Sequence, residues 1–161
     1  MNFTTKIMGL ALALAAAAPA IAQTTAPGLP DTLRKVAIAT QDDEHGKIAG
    51  APIGNTGYYV VYMRTEFGCG SGGCPAKIWK REGANYVLKD NIRVGFLPIV
   101  TLPQSDRGMP RLGVTGFNKA TGKAAIYPVL FDGQGWGGQI DQPLPVGSGT
   151  PLLTEAMLKA F

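Results

Sequence analysis

Apolar and polar positions change period several times along this chain. Residues 7–18 form an unbroken apolar run, preceded by a single charge at Lys6 and closed by Ala20-Ile21-Ala22. An apolar core that short, with a small-x-small exit, predicts a cleaved secretory signal over 1–22 and not a membrane span. Residues 23–30 are mostly Thr, Ala, Pro and Gly and read as a flexible lead. Beyond it Leu33, Val36, Ala37 and Thr40 recur at helical spacing behind Asp31, so the pattern predicts a short helix over 32–40 with Asp31 as N-cap. Asp42-Asp43-Glu44-His45-Gly46 ends that pattern, and the Gly, Pro and Asn of 46–57 predict loop.

From Tyr58 onward the pattern is that of strands: aromatic and β-branched runs separated by turn residues. It predicts strands over 58–64, 76–81, 86–94, 97–102, 111–117 and 124–131, the third of them open to a break. Pro128 cannot donate to a ladder, which places it at an edge or a bulge. Two units echo each other, each a hairpin followed by a Gly turn and an aromatic, Tyr86 in the first and Trp136 in the second. Residues 137–149 read as a Gly/Pro-rich connector. Thr150-Pro151 then predicts the start of a terminal helix, with Leu152, Leu153, Ala156, Met157, Ala160 and Phe161 on one face and a Glu155–Lys159 pair on the other. The expectation is an α+β fold. Its centre is a mainly antiparallel sheet of six or seven strands, curved or partly closed, with short N- and C-terminal helices, in one β-rich domain over 31–161.

Composition sharpens this picture in three places. The 22 Gly and 12 Pro raise the question of disorder, but along the chain they fall mainly between strands, which leaves disorder expected only over 23–30. The net charge of +4 is modest and its basic residues are scattered. The densest group, Lys77, Lys80 and Arg81, is too small for a nucleic-acid stripe. No later apolar run approaches 18 residues, so no transmembrane segment is expected. No Cys lies near residue 22, so no lipid anchor is expected there. The predicted location is the periplasm or the cell exterior.

Cys69-Gly70-Ser71-Gly72-Gly73-Cys74 is the most specific motif. Two cysteines in an exported chain normally pair, and a Cys69–Cys74 bridge would fix a hairpin between the strands ending at Arg64 and starting at Ala76. Closing so small a ring adds about 2 kcal/mol on the loop-entropy model. The alternatives are a ligand-contact loop in which Gly70, Ser71, Gly72 and Gly73 offer backbone N–H groups as an anion nest, a redox pair, or a metal site. A thioredoxin-type pair has two intervening residues and a helix start, whereas this one has four and Pro75. Zinc needs three or four ligands, and His45 is the only histidine. No metal and no cofactor is expected.

With its Tyr/Val-rich strand, Cys-Gly-Ser-Gly-Gly-Cys hairpin and following Ile78-Trp79-Lys80-Arg81, the chain resembles a group of small secreted proteobacterial proteins of unknown function. Leu97-Pro98-Ile99-Val100-Thr101-Leu102-Pro103 and Gly108-Met109-Pro110-Arg111-Leu112-Gly113-Val114 fit the same pattern, so the resemblance covers about residues 57–133. It implies an exported, disulfide-clipped β domain and no activity. In some of the group an Asp is expected where Arg111 stands, a departure that argues against an acidic ligand site at this turn.

Little else suggests catalysis. His45 lacks a recognisable nucleophile partner. Asp42-Asp43-Glu44 lacks the spacing of a calcium loop. Glu66, Glu82, Asp90, Asp106 and Asp132 are the carboxylates that convergence would need for glycoside hydrolysis. An exposed row among Tyr58, Tyr59, Tyr62, Trp79, Tyr86, Phe117, Tyr127, Phe131 and Trp136 would suit sugar or peptide binding. The leading expectation is a non-enzymatic binding or inhibitor-like domain for an unknown protein or cell-envelope component. A small envelope hydrolase and a structural subunit docking through its terminal helix are the alternatives.

Overall fold

The computed structural model describes residues 28–139 and 142–161. The expected signal segment and most of the lead therefore lie outside the described residues. Within them are one α-helix, α1 (Asp31–Ala39), and nine strands: β1 (Gly46–Pro52), β2 (Tyr58–Thr65), β3 (Cys74–Glu82), β4 (Asn85–Asp106), β5 (Met109–Phe117), β6 (Ala124–Leu130), β7 (Gly138–Gln139), β8 (Thr150–Leu153) and β9 (Lys159–Ala160). The fold is α+β and mainly antiparallel sheet. The pairing path runs β7-β6-β5-β4-β3-β2-β1-β9, with β8 joining β4 off that path. The two ends of the path do not pair with each other, so the sheet is not closed.

β4 organises the molecule. Its first part pairs with β3 from Asn85 to Gly95, and its second part pairs with β5 from Phe96 to Asp106. The expected third and fourth strands are thus one 22-residue strand. Register shifts at Cys74/Ala76 and Phe96/Ile99 mark the passage between its two partners. Such irregularities bend a strand and raise its local twist. Residues of both halves meet in one core: Val60, Tyr62 and Ile78 from the first, Ile99, Leu112, Val129 and Leu153 from the second.

Alternation explains why β2 is apolar from Tyr58 to Met63. Successive side chains point to opposite faces. Tyr58, Val60 and Tyr62 enter the central core, while Val61 and Met63 enter a second cluster with Leu33 and Ala37 of α1. A strand covered on both faces has no polar side. The outer face of the other half carries a smaller cluster, Val100, Leu102 and Ile126, with Leu144 of the connector against it. The two echoing aromatics are not equivalent. Tyr86 packs edge-on against Tyr59 beside the helix cluster, whereas Trp136 is fully buried in the central core against Tyr58 and Phe131.

Four expectations are corrected. Residues 46–52 are a strand, because Gly46 and Gly50 are packing glycines: a Cβ at Gly46 would lie 2.8 Å from the Arg64 carbonyl oxygen, and one at Gly50 would lie 2.5 Å from Leu29. The helix begins at Asp31 with Pro30 at its N-cap and no side-chain cap, so Asp31 sits in the first turn, where its charge suits the helix dipole. Residues 28–30, read as flexible, include Leu29 packed against the helix cluster. The predicted terminal helix is instead β8, a 3-10 turn (Glu155–Met157) and β9. Pairing of Leu153 with Ile99 and complete burial of Leu153 override the local helical spacing. Glu155 is correspondingly taken by Arg64 in a two-pronged ion pair, and Lys159 sits on β9. No helix among the described residues is long and apolar enough to cross a membrane.

Candidate functional site

The chain after β2 makes two tight turns in succession. In the first, the buried Thr65 hydroxyl accepts the Gly68 N–H at 3.0 Å. This closes Thr65-Glu66-Phe67-Gly68 and drives Phe67 outward to 85% exposure, the highest among the exposed large apolar side chains. In the second, Cys69 and Cys74 form a disulfide. Inside that ring Gly70 and Gly73 exchange backbone hydrogen bonds of 2.9 and 3.0 Å.

Those bonds decide what the Cys69–Cys74 loop can offer. The Gly70 and Gly73 N–H groups are spent on each other, so they are not part of an anion nest. Gly70, Ser71 and Gly72 are exposed and Gly73 is buried. Gly73 has φ 106°, and a Cβ there would lie 2.0 Å from the Gly95 carbonyl oxygen. The glycine is therefore required by conformation and by space.

Beside this loop an open groove of about 640 Å³ lies between residues 41–45 and 66–68. Asp42, Asp43, Glu44 and His45 line it from one segment, and Glu66 and Phe67 from the other. Nearby Lys77 donates to the Thr40 hydroxyl at 3.1 Å and ties the end of α1 to β3. Its burial lowers the Lys77 pKa, and Asp42 opposes that fall. Among the described residues no three His, Cys, Asp or Glu side chains are arranged as metal ligands.

Of the carboxylates expected to converge, only Glu66 reaches this groove. Glu82 pairs with Lys89 at 2.6 Å. Asp106 makes a two-pronged pair with Arg111 at 2.6 and 3.1 Å. Asp132 accepts the Gln134 and Gly135 N–H groups. Asp90 accepts the Asn91 N–H and lies against Gly135. Hydrogen bonding holds Glu82, Asp106 and Asp132 below the ordinary carboxylate range, the direction opposite to a general acid. The exposed aromatic row is absent among the nine residues considered. Tyr58, Tyr62, Trp79, Phe131 and Trp136 are buried, and Phe117 alone of the nine is more than half exposed. Phe67 was missed because it lies outside any strand pattern. The available signal was an isolated aromatic inside a Glu-x-Gly turn next to a cysteine.

Comparison with known proteins finds no match: no protein-family model, no curated protein and no solved structure.

Proposed function

We propose that this chain is an exported, non-enzymatic binding domain, inhibitor-like in build, acting in the periplasm or at the cell exterior. Its contact surface is the Cys69–Cys74 loop, with Gly70, Ser71, Gly72 and Gly73, and the groove beside it. The export reading rests on the segment over 1–22 and on the cysteine pairing. The observation that carries the binding reading is Phe67, an aromatic held out at 85% exposure by a short turn immediately before a covalently clipped loop. Rigid aromatics are common interface anchors, because they lose little rotamer entropy on burial. The carboxylates beside Phe67 favour a protein or envelope component that presents cationic groups. The test is a pull-down from envelope extract and a glycan panel, each with the unaltered chain and with Phe67→Ala. The reading requires specific capture that Phe67→Ala weakens, and background binding in both assays would refute it.

A hydrolase is the second reading. It is favoured by the four carboxylates that line one groove, Asp42, Asp43, Glu44 and Glu66, since paired carboxylates are what glycoside hydrolysis uses. Turnover of envelope glycan that Glu66→Gln abolishes would establish it over the binding reading. The structural-subunit alternative relied on a terminal helix, and that segment is built into the sheet as β8 and β9.

A further inference from the structure

The clipped loop meets the bend of the sheet at Gly95. Cys74 is the β3 partner of Gly95, and the next residue of β4, Phe96, already pairs with Thr115 of β5. Gly73 sits so close that a Cβ on it would lie 2.0 Å from the Gly95 carbonyl oxygen. The buried Tyr62 hydroxyl donates to that same oxygen at 3.2 Å. From the other side, a Cβ on Gly95 would lie 2.1 Å from the Val114 side chain. The loop, β2, β4 and β5 therefore converge where β4 changes partner.

The β3–β4 ladder sets one end of the loop, Cys74, on Gly95, and the disulfide ties the other end, Cys69, to it. Between Thr65 and Cys74 the chain has glycine at 68, 70, 72 and 73, the residue that loses most backbone entropy on ordering. The Gly70–Gly73 bonds are the only backbone hydrogen bonds found within the ring, and the disulfide keeps its ends in register. Cys74 is 4% exposed and belongs to the central core, while Cys69 is only partly buried.

We propose that the Cys69–Cys74 disulfide is a redox-sensitive clamp on the β4 bend. A dithiol reductant reaches the partly exposed Cys69. One thiolate of the reductant forms a new S–S bond to Cys69 Sγ as the Cys69–Cys74 bond breaks, and Cys74 leaves as a thiolate that takes a proton. The second thiol of the reductant then attacks the mixed disulfide and releases Cys69 as a thiol. Two electrons and two protons pass to the protein, and the reductant leaves as its cyclic disulfide. The freed loop moves off Gly95 and the bend loosens, while the β5–β6 hairpin, held by its own ladder from Leu112–Val129 to Phe117–Ala124, stays folded. This inference does not depend on what the loop contacts.

Amide hydrogen exchange on the purified protein tests it, comparing the oxidised form, the form treated with a small-molecule dithiol, and the reoxidised form. Reduction is expected to speed exchange over residues 74–76 and 92–97 by about tenfold or more, to leave 124–130 within about twofold, and to be reversed by reoxidation. The double variant Cys69→Ala/Cys74→Ala should reproduce the reduced pattern without any reagent. Unchanged exchange over 92–97, or equal acceleration at every amide, would overturn the proposal.

Discussion

Replacing Gly73 by alanine tests the packing of the clipped loop in its sharpest form. Two costs arise from the structure. Gly73 has φ 106°, and placing an L side chain in left-handed backbone costs about 1–2 kcal/mol. The added methyl would also lie 2.0 Å from the Gly95 carbonyl oxygen. That oxygen cannot swing aside freely, because it accepts the Tyr62 hydroxyl and sits between β3 and β5. Overpacking of this kind costs about 1–3 kcal/mol. Together Gly73→Ala should lose about 2–5 kcal/mol, read as a lower urea midpoint at unchanged slope and a Tm lower by about 10 °C. Gly70→Ala is the control: it has ordinary φ and nothing within 4 Å of the new Cβ, so it should change stability by less than about 0.5 kcal/mol. Equal effects of the two variants, or a Gly73→Ala loss under about 1 kcal/mol, would refute the reasoning.

Three further outcomes follow from the same packing. Trp136 is fully buried between Tyr58 and Phe131 and donates its indole N–H to the Pro110 carbonyl at 2.9 Å, so Trp136→Ala should cost about 3–5 kcal/mol in chemical denaturation. The Arg111 guanidinium, hydrogen-bonded to Asp106, holds that carboxyl below its usual range. The pair therefore contributes stability that is present above about pH 4 and lost as pH falls through the lowered Asp106 value, and Arg111→Ala should flatten that part of the stability–pH curve. Phe67→Ala should leave stability within about 0.5 kcal/mol, because Phe67 is 85% exposed. The same variant should weaken partner capture by about tenfold or more, measured by binding titration.

Residues that obey a single local rule were legible in the sequence. β2 and β6 lie almost where their aromatic and β-branched runs put them. Pro128, expected at an edge or a bulge, instead faces Gly113 in an unbroken ladder on a strand between β5 and β7. Two residues before it, Ile126 exchanges backbone hydrogen bonds with Leu144, away from β5. The cysteine pairing followed from the expectation of export and a count of two cysteines. What failed did so where long-range packing reverses a local signal. Gly46, Gly50 and Pro52 look like loop punctuation, yet a neighbouring strand, Leu29 and Phe161 press against those glycines, and only a residue without a side chain fits there. Residues 150–161 have helical spacing, but Leu153 gains more by sealing the core beside Ile99. The β4 bend was read as a gap between two strands because its partner changes at Gly95, a fact of topology that no local window contains. For the site, the sequence pointed to the clipped loop and missed the groove. Asp42, Asp43 and Glu44 meet Glu66 and Phe67 only because α1 ends beside the turn that follows β2.

The central claim is that the face carrying the clipped loop is the contact surface. A photoactivatable cross-linker installed singly at Ser71, at Phe67 and at Lys123 in the purified protein, then mixed with bacterial envelope extract, tests this directly. All three positions are exposed, and Lys123 lies in the turn that precedes β6. The account predicts one discrete adduct from positions 71 and 67 and none from 123. Adducts of equal yield from all three positions, or from 123 alone, would contradict it.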